Sequence, residues 1–363
     1  MIGQNPTAKA PKIAIIIPVG NSEIFIDTFC KNYFSAIRKY NGIIETIFVC
    51  NNSTKKCFDI LKSLESSNVY IFDIGVCSHG ISKARNFGLK MLPIDIDFVG
   101  FLDDDDSLNA TSLENLAEEL DFNTDLVCFS WSVVDHERGY NIQKKLPRSS
   151  IVNSAVVMSE DLPRYLNLPR DVPYLGYCWA KLYSKKLIVN NKLSFNNSIS
   201  TFEDVLFLMN AAAASNKIKF SALNIMTQNH ICKPAAQKAS FGHLSFDKSL
   251  GYVMAANYLQ KKEELDLRIG QFDKEQLISR YTGYLFYFSV IRYFRGSRHL
   301  NWLKSARILR DSYKRSHKFS HESYYYVEGT GESRLVAFLH RRGFILAAII
   351  ACFLREKKRN IFT

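Results

Sequence analysis

The sequence predicts an α/β fold with a mostly parallel central sheet flanked by helices, followed by a mostly helical C-terminal extension. Up to about residue 245, apolar runs of strand length alternate with helical periodicity, which is typical of parallel sheets with helical crossovers. Beyond that point the pattern is helical throughout. The charge also changes: residues 281–363 carry 16 Lys and Arg against 5 Asp and Glu, whereas the rest carries a net charge of +1.

The composition narrows the class of protein. At 363 residues the chain is too long for one ordinary domain, and its 47% hydrophobic content provides a core and excludes global disorder. The eight cysteines have no C-x-x-C spacing, which indicates free thiols in a reducing compartment. Residues 1–11 lack the apolar segment of a signal peptide, and no run of about 18 apolar residues predicts a membrane span. We therefore expect a cytoplasmic protein.

Six apolar runs are predicted to form the strands of the sheet. They cover residues 12–17, 43–50, 69–73, 97–102, 125–134 and 218–230. Helical periodicity predicts helices at 23–40, from the turn at 51–54 to about 64, and at 111–120 and 202–215, whereas 78–89 is predicted as a loop that leads into a helix. Ser22 is expected to cap the first helix. Residues 138–148 are expected to form a polar loop.

Four consecutive acids follow the strand predicted at 97–102. They are Asp103, Asp104, Asp105 and Asp106. Four adjacent carboxylates repel one another, and divalent Mg²⁺ or Mn²⁺ prefers such oxygen ligands. A metal site is therefore predicted here, the alternative being a solvated acidic turn that caps the helix starting near Thr111.

Polar residues also follow two other predicted strands, at 18–21 and 51–54. The carboxyl ends of parallel strands lie at one edge of the sheet, where open α/β sheets bind their ligands. The three strand ends therefore predict a nucleotide site, although this architecture serves many functions.

Six short segments resemble family-2 glycosyltransferases with a GT-A fold, and the likeness covers roughly residues 10–232. In order they are Ile-Pro-Val at 17–19, Asn-Asn-Ser-Thr at 51–54, Ser-Lys-Ala-Arg-Asn-Phe-Gly-Leu at 82–89, Phe-Leu before the four aspartates at 101–106, Trp-Ala-Lys-Leu-Tyr at 179–183 and Glu-Asp-Val-Leu-Phe at 203–207. Each motif alone is weak, but their common order is specific. The resemblance implies inverting transfer of a sugar from a nucleotide diphosphate, with a UDP-sugar favoured, to a glycan or glycolipid of a bacterial-type cell surface.

The resemblance also implies roles for individual residues. The family's D-x-D motif aligns with Asp103 and Asp105 as metal ligands, the register Asp104 and Asp106 being the alternative. The family's E-D pair aligns with Glu203 and Asp204, and Asp204 would take the acceptor proton. The other interpretation of this pair is two acids that favour the first turn of a helix.

Further residues are assigned to the donor, the metal and the acceptor. The donor residues are Pro18, Val19, Glu23, Asn51, Ser53, Arg85, Asp103 and Asp104. His230, at the end of the last predicted strand, is a candidate third metal ligand, and the alternative is a capped histidine at a strand end. Trp179, Lys181 and Tyr183 are candidate acceptor contacts or core residues. For Arg85, the family's A-R-N arginine, the alternative to a contact near the donor phosphates is a surface ion pair.

Two positions depart from the family's pattern. Asn51 stands where the family has an aspartate that binds the base, although its amide can still accept from a uracil N3–H. Gly20 replaces an aromatic residue. The expected organisation is a leader at 1–11, a nucleotide-sugar-binding half at 12–110, an acceptor-side half at 111–245 and the basic extension at 246–363.

The C-terminal extension suggests a second kind of partner. Its apolar run at 344–354 is flanked by basic residues, and as a helix it would measure about 16 Å, against about 30 Å for the membrane's hydrocarbon core. Residues 281–363 could therefore lie on an anionic membrane, giving a cytoplasmic enzyme peripheral to the inner face, or pack on the catalytic domain. No nucleic-acid-binding motif is present, and we expect no nucleic acid partner.

Two rival functions remain on the sequence alone. A sugar-phosphate nucleotidyltransferase is expected to have a glycine-rich phosphate-binding loop after the first strand. Residues 18–21 do not form such a motif. A catalytically degenerate nucleotide-sugar-binding protein is disfavoured because Asp103, Asp105 and Asp204 are all present.

Overall fold

The computed structural model describes residues 10–20, 22–77, 80–136, 139–167, 172–197 and 203–230, together with positions 339, 342, 344, 346–351 and 354. Its centre is a 10-stranded sheet with the order β3-β2-β1-β4-β9-β6-β10-β5, from which β7 pairs with β6 and β8 with β10. The strands are β1 Ile13–Val19, β2 Ile44–Cys50, β3 Val69–Asp73, β4 Phe98–Phe101, β5 Ser107–Leu108, β6 Leu126–Asp135, β7 Tyr140–Lys144, β8 Ile151–Val152, β9 Lys181–Ser184 and β10 Ile218–His230.

The first four long strands form the parallel half of the sheet. β1 pairs in parallel with β2 and with β4, and β2 pairs in parallel with β3. Every residue of β1, β2 and β4 is buried, as expected for parallel strands covered by helices on both faces. All six predicted strands are confirmed, and with them the α/β class.

Four shorter strands were not predicted. β9 inserts antiparallel between β4 and β6, and β7 lies antiparallel to β6 where a polar loop was expected. The prediction for 138–148 was wrong because β7 is an edge strand of mostly exposed polar residues, stabilised by backbone pairing rather than by an apolar face.

The helices lie between the strands in the order expected for right-handed crossovers. They are α1 Ile26–Ile37, α2 Lys55–Lys62, α3 Gly80–Lys90, α4 Ala110–Glu114, α5 Leu116–Glu119, α6 Ser154–Val156, α7 Leu162–Asn167, α8 Lys185–Asn190 and α9 Glu203–Ala214. Ser22 does not cap α1: the residue before that helix is Phe25, and the Ser22 hydroxyl donates to Asp104 instead.

Helix α3 lies unusually close to the sheet because Gly88 faces β1. A Cβ atom at this position would lie 2.5 Å from Ile16 Cγ2, so a larger residue would push the helix away. Arg85 lies one turn earlier on α3 and bonds Asp103, which follows β4.

The chain divides into two compact units. The first contains Met1–Val157, Val172–Asn197 and Glu203–Cys232, and the second contains Met158–Asp171, Ser198–Phe202 and Lys233–Thr363. In the second unit the structure describes helix α7 and helical positions at 346–351. Within the described residues, no helix is both long and apolar enough to cross a membrane. The predicted four-part organisation stays a prediction.

Candidate active site

The ends of β1, β2 and β4 meet at one edge of the sheet, as the sequence predicts. The carboxylate of Asp104, after β4, accepts hydrogen bonds from the backbone N–H of Gly20, at 3.2 Å, and from the Ser22 hydroxyl. After β2, the Ser53 hydroxyl donates to the carbonyl oxygens of Val19 and Gly20, both at 3.0 Å. Direct hydrogen bonds therefore link the three polar strand ends.

The acids after β4 bond different partners. Asp103 accepts from Arg85 Nη2 at 2.9 Å, whereas Asp106 accepts from the backbone N–H of Asn229, on β10, at 2.9 Å. Burial, reinforced by the neighbouring carboxylates, raises the pKa of Asp103, that of Asp104 to about 6 and that of Asp106 to about 9. The carboxylates of this cluster therefore repel one another, and a bound cation would reduce that repulsion.

Arg85 is the cation at the centre of the site. Its side chain is 1% exposed, with Nη2 on Asp103 and Nη1 on Asp204 at 2.5 Å, while Glu203 Oε1 lies 4.0 Å from Nη1. The guanidinium also lies over the Phe195 ring, 5.2 Å from its centroid. Nearby carboxylates outweigh burial and hold the pKa of Arg85 well above its ordinary value. Arg85 therefore joins the acids after β4 to the acids that begin α9.

Helix α9 carries the second pair of acids in its first turn. Asp204 is held at both oxygens: Oδ1 by Arg85, and Oδ2 by the backbone N–H of Cys178 at 3.3 Å. Glu203, like Asp204, is partly buried, but its Oε2 has no hydrogen-bond partner within the described chain. Burial is the main reason that the pKa of Glu203 rises to about 7, and the Asp204 carboxylate adds to it.

A turn between a 3-10 segment, Pro173–Gly176, and β9 supplies the Cys178 N–H. Ala180 in this turn has a positive φ of 53°, and the side chains around it are aromatic. Tyr177 stacks on Trp179 with ring centroids 4.3 Å apart, and Trp131 packs edge-on against Trp179 at 5.5 Å. The turn is thus a largely buried segment beside Asp204.

Comparison with known proteins agrees with this architecture. The model of glycosyl transferase family 2 matches residues 14–179. This part of the chain belongs to glycosyl transferase family 2. The structure of Staphylococcus aureus TarS residues 1–349 in complex with UDP-GlcNAc has a TM-score of 0.63 at 18% identity, covering 96% of this chain and 92% of that one. The predicted GT-A fold is confirmed.

Two curated bacterial proteins are similar to this chain. The uncharacterized glycosyltransferase EpsJ of Bacillus subtilis (strain 168) is 25% identical over 210 residues, which are 58% of this chain and 58% of EpsJ. The poly(ribitol-phosphate) β-N-acetylglucosaminyltransferase TarS of S. aureus (strain Mu50) is 24% identical over 287 residues, 77% of this chain and 45% of TarS. The chain thus spans about half the length of these relatives.

Within the family-2 domain, the predicted donor residues lie along the joined strand ends. Pro18 and Val19 end β1, and Glu23 lies in the turn before α1, 3.6 Å from Lys56 Nζ. The side-chain oxygen of Asn51 accepts the Cys77 N–H at 3.0 Å, and a Cβ atom at Gly80 would lie 1.4 Å from Asn51 Nδ2. Asn51 therefore links the end of β2 to the start of α3, and its role toward a base stays a prediction.

The predicted acceptor residues are buried in the domain. Trp179, Lys181 and Tyr183 are 3%, 4% and 0% exposed. Lys181 Nζ donates to the Trp179 carbonyl at 3.1 Å, and the Tyr183 hydroxyl donates to the Cys178 carbonyl at 2.9 Å. Their contact with an acceptor stays a prediction, and both polar groups bond the turn beside Asp204.

The ligand atoms of the predicted metal site suit a divalent cation. Asp103 and Asp105 supply carboxylate oxygens, the ligands that such a cation prefers. Burial raises the pKa of Asp103, and the Asp204 and Asp105 carboxylates add to that rise. No preformed group of three or more His, Cys, Asp or Glu side chains is arranged for a metal in the described ranges. His230 ends β10, but its side chain lies outside the described residues.

Sequence reasoning missed several residues of this site. Cys178 acts through its backbone N–H and Phe195 through its ring face, and neither interaction leaves a sequence signal. Ser22 was identified as a helix cap, the usual role of a serine before a helix, although its hydroxyl bonds an acid 82 residues away.

Proposed function

We propose that this protein is an inverting glycosyltransferase that moves a sugar from a UDP-sugar to a hydroxyl group of a glycan or glycolipid in bacterial surface-polymer synthesis. The observation that carries the proposal is the arrangement at Arg85, where the acids after β4 and the acids of α9 meet at opposite ends of one buried guanidinium. The names of TarS and EpsJ, and the UDP-GlcNAc in the TarS structure, support the donor and acceptor classes.

The proposed reaction is a single displacement. The acceptor oxygen forms a bond to the anomeric carbon while the bond from that carbon to the diphosphate oxygen breaks, so the configuration inverts. The acceptor proton passes to the carboxylate of Asp204, and the bonding electrons leave with UDP. Arg85 and the Cys178 N–H hold Asp204 in one orientation for this transfer.

Asp103 and Asp105 are the residues proposed to hold Mn²⁺ or Mg²⁺. A divalent ion there would neutralise charge that grows on the departing diphosphate. This register follows the family's D-x-D motif, and Asp104 with Asp106 is the alternative. Asp104 bonds Ser22 and Gly20, Asp106 bonds the Asn229 N–H, and Asp103 bonds Arg85.

A ligand screen tests the proposed function directly. Nucleotide sugars, added with and without Mn²⁺, are scored by the melting temperature, because a ligand that binds only the folded state stabilises it by about 2.7 kcal/mol at 100 times its Kd. We expect UDP-sugars to raise the melting temperature, and UDP to be released when an acceptor is supplied.

Other outcomes of the screen would favour the rivals. Stabilisation without release of UDP, with any acceptor or with water, would support a degenerate binding protein. Formation of a nucleotide sugar from UTP and a sugar 1-phosphate would support a nucleotidyltransferase. No response to any nucleotide sugar would contradict the proposal.

We also propose that residues 281–363 bind an anionic membrane surface on the cytoplasmic side, because a net charge of +11 lies there beside the apolar run 344–354. Most of this segment lies outside the described residues. Each Lys or Arg near such a surface contributes about 1 kcal/mol, and salt screens the attraction. Intact protein should float with acidic lipid vesicles at low salt and be released at high salt. Failure to float at low salt would refute membrane binding and favour packing on the catalytic domain.

A further inference from the structure

We propose that Tyr183 and Lys181 are positioning residues that fix the carboxylate of Asp204 by holding the backbone of the turn at 178–180. The inference rests on the proposed role of Asp204 as proton acceptor. It assigns the Trp-x-Lys-Leu-Tyr segment an internal role in place of contact with the acceptor.

Tyr183 is placed to act only from inside the domain. Its side chain is fully buried on β9, and its ring packs edge-on against Phe101 and Phe207, with centroids 5.8 and 5.3 Å away. Its hydroxyl donates to the Cys178 carbonyl at 2.9 Å, which fixes one end of the turn.

Lys181 fixes the middle of the same turn. Its ammonium is buried, lies 6.0 Å from the centroid of the Tyr174 ring, and donates to the Trp179 carbonyl at 3.1 Å. Directly after these two anchored carbonyls, Ala180 has a φ of 53°, a conformation that costs a residue with a Cβ atom about 1–2 kcal/mol. The two side-chain hydrogen bonds therefore stabilise a backbone shape that the alanine does not itself favour.

This shape directs the Cys178 N–H at Asp204 Oδ2, 3.3 Å away. Because Arg85 holds the other oxygen, the carboxylate is fixed from two separate elements, α3 and the turn. If the contact from the turn is lost, the carboxylate can rotate about its Cβ–Cγ bond and its proton-accepting lone pair is no longer held toward the acceptor. A displacement of about 1 Å in a catalytic group can reduce a rate by about 100-fold.

Tyr183→Phe removes one oxygen and tests this chain of contacts. We expect kcat to fall by roughly 10- to 100-fold, with little change in the KM values for donor and acceptor or in the Kd for UDP. Tyr40→Phe is a matched control, since Tyr40 is buried and donates to the Pro11 carbonyl at 2.6 Å in another part of the domain. This control should lower the melting temperature to a similar extent while leaving kcat unchanged.

A double variant separates positioning from general weakening of the fold. In the Asp204→Asn background, Tyr183→Phe should cause little further loss of kcat, because the group it positions is already disabled. A full additional loss would overturn the inference, as would an unchanged kcat in Tyr183→Phe. A raised acceptor KM with unchanged kcat would indicate direct acceptor contact instead.

Lys181→Met is the second variant and decides the matter if Tyr183→Phe does not fold. It removes the ammonium that bonds the Trp179 carbonyl, and we expect the same loss of kcat with unchanged UDP affinity. An unchanged kcat would refute the inference. If instead Asp204→Asn alone leaves kcat unchanged, Asp204 is not the proton acceptor. That outcome refutes the proposed role of Asp204, and it can be told apart from a failure of the present inference because this variant does not alter the turn.

Discussion

Asp204→Asn is expected to lower kcat by roughly 10²- to 10⁴-fold while the affinity for the donor changes little. Asparagine keeps the size of the side chain, and its amide oxygen can still accept from Arg85 or from the Cys178 N–H. It cannot take a proton from an acceptor hydroxyl, so the loss should appear in the chemical step. Single-turnover rates measured at saturating donor and acceptor, with the Kd for UDP measured separately, would test this expectation.

Glu203→Gln is the matched control for that experiment. Glu203 begins the same helix and its side chain is 12% exposed, close to the 15% of Asp204, but its Oε2 has no hydrogen-bond partner among the described residues. Burial, with the Asp204 carboxylate adding to it, raises the pKa of Glu203 to about 7, which favours the neutral form of this side chain. Glutamine resembles that neutral form, so we expect a smaller effect on kcat. A larger loss in Glu203→Gln than in Asp204→Asn would assign the proton acceptor to Glu203.

The sequence is sufficient to predict the strands that are buried along their whole length. β1, β2 and β4 appear as continuous apolar runs because both of their faces are covered, and the polar residues after them must then lie at one edge. The meeting of residues 18–21, 51–54 and 103–106 follows from parallel topology alone. For the same reason, the position of the acids relative to the sheet could be predicted without any structure.

The partners of individual side chains could not be predicted in this way. Arg85 bonds carboxylates 18 and 119 residues away, and no local pattern encodes such separations. Its expected contact near the donor phosphates stays a prediction. Likewise, a tyrosine after Trp-x-Lys-Leu has the same spacing whether its hydroxyl faces a ligand or a carbonyl five residues back. The packing of α3 on the sheet and the pairing of β9 within it decide between these possibilities.

The metal assignment gives the other large expected effect. Asp105→Asn should abolish transfer and remove the part of UDP affinity that depends on Mn²⁺, because an amide oxygen without charge is a poor substitute for a carboxylate ligand. The fold should persist, since removing one charge from a crowded acidic cluster relieves repulsion. UDP titrations with Mn²⁺ and with EDTA, together with the melting temperature of the apo protein, measure both effects.

Asp106→Asn is the matched control, and it also tests the alternative register of the motif. Because burial raises the pKa of Asp106 to about 9, this acid is mainly protonated at pH 7, and asparagine can still accept the Asn229 N–H. The contribution of Asp106 to the free energy of unfolding should fall as the pH rises from about 4 toward 9, because the unfolded chain releases this proton at a lower pH than the folded protein does. Asp106→Asn should remove that contribution and leave transfer nearly intact. Loss of Mn²⁺-dependent UDP binding in Asp106→Asn but not in Asp105→Asn would assign the metal to Asp104 and Asp106, and full activity in EDTA would remove the metal from the reaction altogether.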